Sequence, residues 1–291
     1  MNNITNSPIH NISFNGFNFL IKRDDLLHPN FSGNKARKFY YFFKNYFTNI
    51  NTIVSHGSNQ SNAMYSLSSL AKLKGWNYIY YTSHIPSFLE ENPQGNYKYA
   101  LENGMELRVG EYNFTTIKDK NPQYLYIDEG GAIDEARYGL EILANEIQEY
   151  ASINGIHNLK IFLPSGTGTT ALFLQIFLKD IEVLTCPCVG DSEYLTKQFL
   201  ELEQDTTLHP SIIKTKKKYH FGKLYKENYE VYKQLLDDTK IEFDLLYDPI
   251  GISTLMNNYP KNSTILYIHQ GGIIGNETML QRYKYKYDKI Q

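Results

Sequence analysis

"LKIFLPSGTGTTALF" (159–173) is the stretch whose reading decides the fold. Its first seven residues are mostly apolar, the pattern of a short buried strand. Gly166 and Gly168 then free the backbone, and Thr167, Thr169 and Thr170 offer hydroxyls where an apolar helix begins. A strand running through a polar turn into a helix is the repeating unit of a parallel α/β sheet. Backbone N–H groups at a helix start, with the helix dipole behind them, make an anion site, and a phosphate fits best. The turn lacks the lysine of a P-loop, and Ala171 stands where a dinucleotide fingerprint needs its third glycine.

The same rhythm extends in both directions. Residues 51–56, 77–83, 105–110, 124–128, 181–189 and 263–270 also read as short strands. Residues 60–75 place Met64, Leu67, Leu70, Ala71 and Leu73 on one side of a helix, with Gly75 suited to end it. Residues 133–151 do the same with Ala136, Leu140, Leu143 and Ile147. The expected class is α/β with mostly parallel sheets. Ligands of such sheets bind at the carboxyl ends of the strands. Three further strand-end or helix-start turns are unusually polar: "FSGNKARK" (31–38), "SHGSNQSNAM" (55–64) and "YIHQGGIIGNE" (267–277).

Composition removes several function classes. A formal net charge of −2 over 291 residues gives no reason to expect nucleic acid or an anionic membrane as partner. No run approaches the ~18 apolar residues of a membrane span. Residues 1–10 are polar and predict no signal peptide, so a soluble cytoplasmic protein with a small-molecule partner is expected. Cys186 and Cys188 are too close for an ordinary disulfide and lack a second pair for zinc; they read as reduced structural thiols, with no metal site. The basic run at 214–223 reads as a solvated loop. His56 and His269 read as strand-end residues without a catalytic role.

Lys35 poses the chemical question. A helix start disfavours a cation, yet this lysine follows Ser32-Gly33-Asn34 directly. A phosphate cradle, a lysine in a constrained turn and polar loops at strand ends suit one cofactor well. Pyridoxal 5′-phosphate carries one phosphate and one aldehyde, which bonds a lysine as a Schiff base.

"SGNKARK" resembles the G-G-N-K-x-R-K segment of the 1-aminocyclopropane-1-carboxylate deaminase / D-cysteine desulfhydrase family. "HGSNQSNAM" is similar to that family's G-x-x-Q-S-N segment, "IDEGGAIDEARYGLEI" to its P-x-G-G-S…E-I stretch, "SGTGTTAL" to its phosphate loop and "IHQGG" to its H-T-G-G. The resemblance implies pyridoxal-phosphate fold type II, like the tryptophan synthase β chain, with two three-layer α/β/α domains. Residues 1–51 and 155–291 would form the larger domain and 52–154 a smaller inserted one, in a homodimer. Lys35 would be the Schiff-base lysine and proton shuttle. Lys38 would lie near the phosphate, Ser61 over the substrate, and Asn62 at the cofactor's phenolic oxygen. Gly166, Thr167, Gly168, Thr169 and Thr170 would hold the phosphate.

The family's D-P-V-Y-[ET]-G-K admits two alignments. "DPIG" (248–251) needs a gap and loses the tyrosine; "FDLLYDPIG" (243–251) needs none. The second is preferred, and makes Tyr247 the active-site tyrosine. Asp248 would then face the pyridine nitrogen and favour its protonated form. Two departures follow. Phe221 stands where the family has a second tyrosine and offers no hydroxyl, unless Tyr219 or Tyr225 substitutes. Gln270 replaces the threonine of H-T-G-G as a cofactor contact. The expected activity is D-cysteine-type β-elimination giving 2-oxo acid, ammonia and sulfide. The alternatives are opening of the cyclopropane ring to 2-oxobutyrate, or a pyridoxal-phosphate-binding protein with little lyase activity.

Overall fold

The structure is a computed structural model that describes residues 4–31, 33–118 and 120–288. Ser32, the first residue of the S-G-N-K motif, lies outside the described residues. In chain order the first half holds β1 (Ile9–Phe14), β2 (Phe17–Arg23), α1 (Gly33–Lys38), α2 (Tyr40–Lys44), β3 (Thr52–His56), α3 (Asn62–Lys74), β4 (Asn77–Thr82), α4 (Ser87–Glu91), α5 (Gly95–Glu102), β5 (Met105–Val109), α6 (Phe114–Ile117) and β6 (Tyr124–Ile127). The second half holds α7 (Ala136–Ile153), β7 (Leu159–Ser165), α8 (Thr169–Phe177), β8 (Glu182–Pro187), α9 (Ser192–Leu202), β9 (Ser211–Ile212), α10 (Lys226–Thr239), α11 (Asp248–Asn257), β10 (Thr264–His269) and α12 (Asn276–Tyr283).

These strands make two sheets. One has the order β5-β4-β3-β6 and is wholly parallel. The other has the order β1-β2-β10-β7-β8-β9 and is parallel except for the β1–β2 hairpin. That hairpin is absent from the strands read in the sequence, although Asn15-Gly16 at its tip is a strong hairpin signal. Both residues have positive φ there (49° and 78°), as a type I′ turn requires.

Period-two alternation explains the layers. On β10, Leu266 and Ile268 pack with α7 and α8, through Leu140, Leu143 and Leu172. Ile265 and Tyr267 pack the other way, on Leu235 of α10 and Ile252 of α11. On β3, Ile53 faces Met64 and Leu67 of α3, and Val54 faces Phe114 of α6. Strands buried on both faces are the reason these segments read as near-continuous apolar runs. One helix-face expectation fails: Leu73 is 53% exposed while Met64, Leu67, Leu70 and Ala71 are buried. At 100° per residue Leu73 lies on the far side of α3 from Met64, outside the buried stripe. Gly75 ends α3 in the left-handed conformation (φ 69°) that favours glycine.

The turns after β3, β6, β7 and β10 converge on one cleft. No helix among the described residues is long and apolar enough to cross a membrane, and none of their His, Cys, Asp and Glu side chains cluster as a metal site. Cys186 and Cys188 are free thiols, buried in the core of the larger sheet.

Candidate active site

Lys35 and the glycine/threonine loop, 131 to 135 positions apart in sequence, line the same cavity of about 210 Å³. The G-N-K segment is pinned by the β10 turn: Asn34 N–H donates to the Gln270 carbonyl (2.9 Å), and Asn34 Nδ2 donates to Gln270 Oε1 (3.0 Å). Gly33 is required there, because a Cβ would lie 2.7 Å from the Gln270 carbonyl oxygen. The Lys35 side chain is 9% exposed and makes no hydrogen bond or ion pair among the described residues. Burial lowers its amine to about 8, against the pull of Asp244. One turn on, Lys38 Nζ donates to the Gly130 carbonyl (3.0 Å), and burial with Lys35 as neighbour pushes its amine well below the usual lysine range.

The loop after β7 forms the floor. Gly168 begins α8 with φ 75°, and a Cβ there would lie 2.4 Å from Phe199 and 2.6 Å from Leu195. Glycine therefore lets the loop press against α9. Thr170 Oγ1 is buried with no hydrogen-bond partner among the described residues. Such an orphaned hydroxyl is costly, and a phosphate would satisfy it. A buried unpaired amine, an orphaned hydroxyl and a helix N-terminus in one cavity fit pyridoxal phosphate.

Ser61 is a helix cap that also borders the cleft. Its Oγ accepts from Ala63 N (3.1 Å) and Met64 N (3.4 Å) as the cap of α3, and the residue lines the cleft. Asn62 follows, its Oδ1 accepting from Asn96 Nδ2 (2.7 Å). Tyr247 and Asp248 line the opposite wall at the head of α11. Burial, with Asp244 next to it, raises the Tyr247 phenol far above its usual value. Both Asp248 oxygens are occupied: Tyr267 OH donates to one (2.6 Å) and Asp244 N to the other (2.9 Å). The Asp248-Pro249 pair also has a structural reason, since proline suits the first turn of a helix. Gln270 spans the wall, its Nε2 donating to the Pro164 carbonyl (2.6 Å).

All twelve residues singled out from the sequence line this cavity, together with Phe221. Tyr219 and Tyr225, weighed as replacements for the missing phenol, do not line it: they pack on each other with ring centroids 5.0 Å apart. Three polar residues were not anticipated. Asp244 lies three positions before Tyr247, in a stretch already aligned to the motif. Glu129 follows β6, and Tyr194 enters from the first turn of α9. Tyr194 left no motif in the sequence.

His56 and His269 do not line the cleft. His269 Nε2 lies 2.8 Å from the Glu242 carbonyl, and the His56 ring packs on Phe114 at 4.0 Å.

No family model matches the sequence. A curated protein of Pyrococcus furiosus, provisionally named 1-aminocyclopropane-1-carboxylate deaminase, is 26% identical over 89% of this chain and 86% of its own. A solved homologue of that deaminase superposes with TM-score 0.78 at 22% identity, over 98% of this chain and 94% of its own. The chain shares the fold type II architecture of these proteins. The fold recurs at greater distance. A hydrogen sulfide-producing enzyme of Fusobacterium nucleatum gives TM-score 0.65 at 13% identity, over 92% of this chain and 95% of its own. A threonine deaminase isoform of Solanum lycopersicum gives 0.64 at 13% identity, over 94% and 84%. The activities named for these proteins are deaminations and hydrogen sulfide production.

Proposed function

We propose that the chain deaminates a small amino acid by β-elimination, with D-cysteine the favoured substrate. The observation that carries this is the wall at Tyr247. Phe221 stands beside it, ring centroids 6.1 Å apart, where the family pattern has a second phenol. Loss of a good leaving group such as sulfide asks less of the enzyme's acids than opening a carbon ring does.

Bound pyridoxal phosphate would supply an electron sink for the negative charge left at the substrate Cα. The chain's residues divide the remaining work. Lys35 Nζ would hold the cofactor aldehyde, and as a free amine it would be the base that takes the substrate Cα proton. Its lowered amine value suits that task near neutral pH. Gly166 to Thr170 hold the phosphate at the start of α8, with Lys38 beside them. Asn62 would steady the cofactor ring through its amide, Gln270 braces the turn that carries α1, and Asp248, held by Tyr267 and the Asp244 amide, would be the acid nearest the ring nitrogen. Ser61 and Tyr247 position the substrate. Released 2-aminoacrylate takes up one water and yields pyruvate and ammonia, with hydrogen sulfide the third product. The domain division at 52–154 and the homodimer belong to the same proposal and rest on the family resemblance; the cytoplasmic setting is proposed from composition alone.

Ring opening of 1-aminocyclopropane-1-carboxylate is the second reading. Tyr194 favours it, because it lines the cleft and carries the kind of hydroxyl that Phe221 lacks.

The test is 2-oxo acid release by the cofactor-loaded protein. Pyruvate and sulfide from D-cysteine, with no 2-oxobutyrate from the cyclopropane, is the expected result. Formation of 2-oxobutyrate, lost in Tyr194→Phe, moves the assignment to ring opening. No product from any β-substituted amino acid, with cofactor bound, would leave a cofactor-binding protein without lyase activity.

A further inference from the structure

The cleft contains an acid that the mechanism above does not use. Asp244 is 2% exposed. Its Oδ1 accepts from Leu246 N and Tyr247 N (2.8 Å each), closing the turn that presents Tyr247. Its Oδ2 is buried, has no partner at close hydrogen-bond distance among the described residues, and looks toward the Asn62 amide, which favours its charged form. That oxygen is directed at Gly272. A Cβ on Gly272 would lie 2.6 Å from Asp244 Oδ2 and 2.5 Å from Asn62 Nδ2, so the two groups face each other across a backbone that must be glycine.

The Asn62 amide has a defined orientation. Asn96 is buried, and its Nδ2 donates both to the Gln60 carbonyl (3.0 Å) and to Asn62 Oδ1 (2.7 Å). An amide whose oxygen is engaged this way presents its N–H groups on the other side, toward Asp244 and the cleft. The turn at Gln270 that abuts Gly272 also anchors the start of α1 and therefore Lys35.

We propose that Asp244 is a positioning residue of the cleft: its Oδ2 is the acidic neighbour against which the Lys35 amine and the Asn62 amide are held. Asp248, the other buried acid of the wall, cannot serve, since both its oxygens are engaged. Asp244 pulls the Lys35 amine up against the effect of burial, and burial followed by Asp248 raises Asp244 itself to about 8. The two groups therefore exchange protons in the same range, as a coupled pair. The groups facing Asp244 are Lys35 from α1, Asn62 from α3, Cys188 beyond β8, Tyr232 from α10, and Tyr247 and Asp248 at the head of α11. Lys38 is the further cation beside Lys35.

The proposal takes Lys35 as the reactive amine of the reading above, but its test needs no cofactor, so failure here leaves that reading standing. Cofactor-free protein is acetylated competitively with trace acetic anhydride across pH, and the Lys35 peptide is quantified by mass spectrometry. Asp244→Asn keeps an oxygen for the two backbone N–H groups and removes the charge. The Lys35 midpoint should fall by about one pH unit, whereas a purely structural role would alter thermal stability and leave the midpoint in place. A folded variant with an unmoved midpoint overturns the proposal. If Asp244→Asn does not fold, Lys35→Met decides instead. One aspartyl carboxyl midpoint should then move up in ¹³C NMR of aspartate-labelled protein, and no movement overturns the proposal.

Discussion

Lys35 and Arg37 are two residues apart on α1, and both are buried, yet their surroundings are opposite. Arg37 is saturated: its guanidinium donates twice to Asp24 (2.8 and 3.1 Å) and twice to Glu146 (2.6 and 2.8 Å). Lys22 joins from β2, 2.7 Å from Glu146, and Ser7 Oγ donates to Asp24 (2.6 Å). Burial opposes charge on Arg37, but the two carboxylates outweigh it and hold the guanidinium above its usual value. Lys35 has no such partner within hydrogen-bond reach, and burial prevails. A buried cation with full partners is architecture, and one without them is held for chemistry. Here the architecture serves the chemistry, because the Arg37 network ties α1 to β2 and α7 and so fixes where Lys35 points.

Four measurements would break or sharpen that contrast. The largest effect should come from Lys35→Ala, which removes the attachment point. Borohydride reduction of the cofactor-loaded variant should fix no pyridoxyl group to the protein, and turnover should fall to background. Retained attachment would mean that Lys38 or another amine is the linking residue.

Arg37→Met should leave Asp24 and Glu146 buried without their main partner. A loss of about 3–5 kcal/mol in denaturant unfolding is expected. A loss under ~1 kcal/mol would show that water or Lys22 compensates, and the architectural role would be lost.

Lys35→Met should act in the opposite direction on the cofactor-free protein. The folded amine sits at about 8 against the usual 10.5, so between those values the unfolded chain binds the proton more tightly. Wild-type stability therefore rises with pH across that window. The variant should gain about 1–3 kcal/mol below pH 8, and the gain should fade as pH rises toward 10.5. A gain that does not change with pH would point to packing, not charge.

Lys38 is intermediate, with one carbonyl partner. Lys38→Met should weaken cofactor binding about tenfold, the worth of one charge-assisted hydrogen bond, while thermal stability holds or improves. An unchanged cofactor affinity would place Lys38 with Arg37, as architecture.

The regular elements were legible because strand and helix periods are local. Residues 159–165 and 51–56 announced β7 and β3 by composition, and the polar turns behind them announced the strand ends that meet at the cleft. The β1–β2 hairpin was passed over, because its outward strand is only half buried and carries a mixed pattern. The catalytic candidates were legible where type and spacing coincide, as in Gly33-Asn34-Lys35 and Gln60-Ser61-Asn62. Asp244 and Asn96 were not, since an aspartate before an apolar pair or an asparagine on a helix says nothing until its neighbours are known. Tyr194 is one of 25 tyrosines, and only its place at the mouth of α9 separates it from the rest.

The sequence by itself determined the α/β class, the strand-end turns and the lysine fit to carry a cofactor, because backbone periodicity and turn chemistry are properties of a few adjacent residues. Only the tertiary structure decided which buried charges are neutralised. Arg37 meets Glu146 across 109 positions of chain, and Asp244 meets Asn62 across a single glycine of β10's turn. A charge's fate in a low-dielectric interior is set by what lies within a few ångströms of it, and those neighbours arrive from anywhere in the chain.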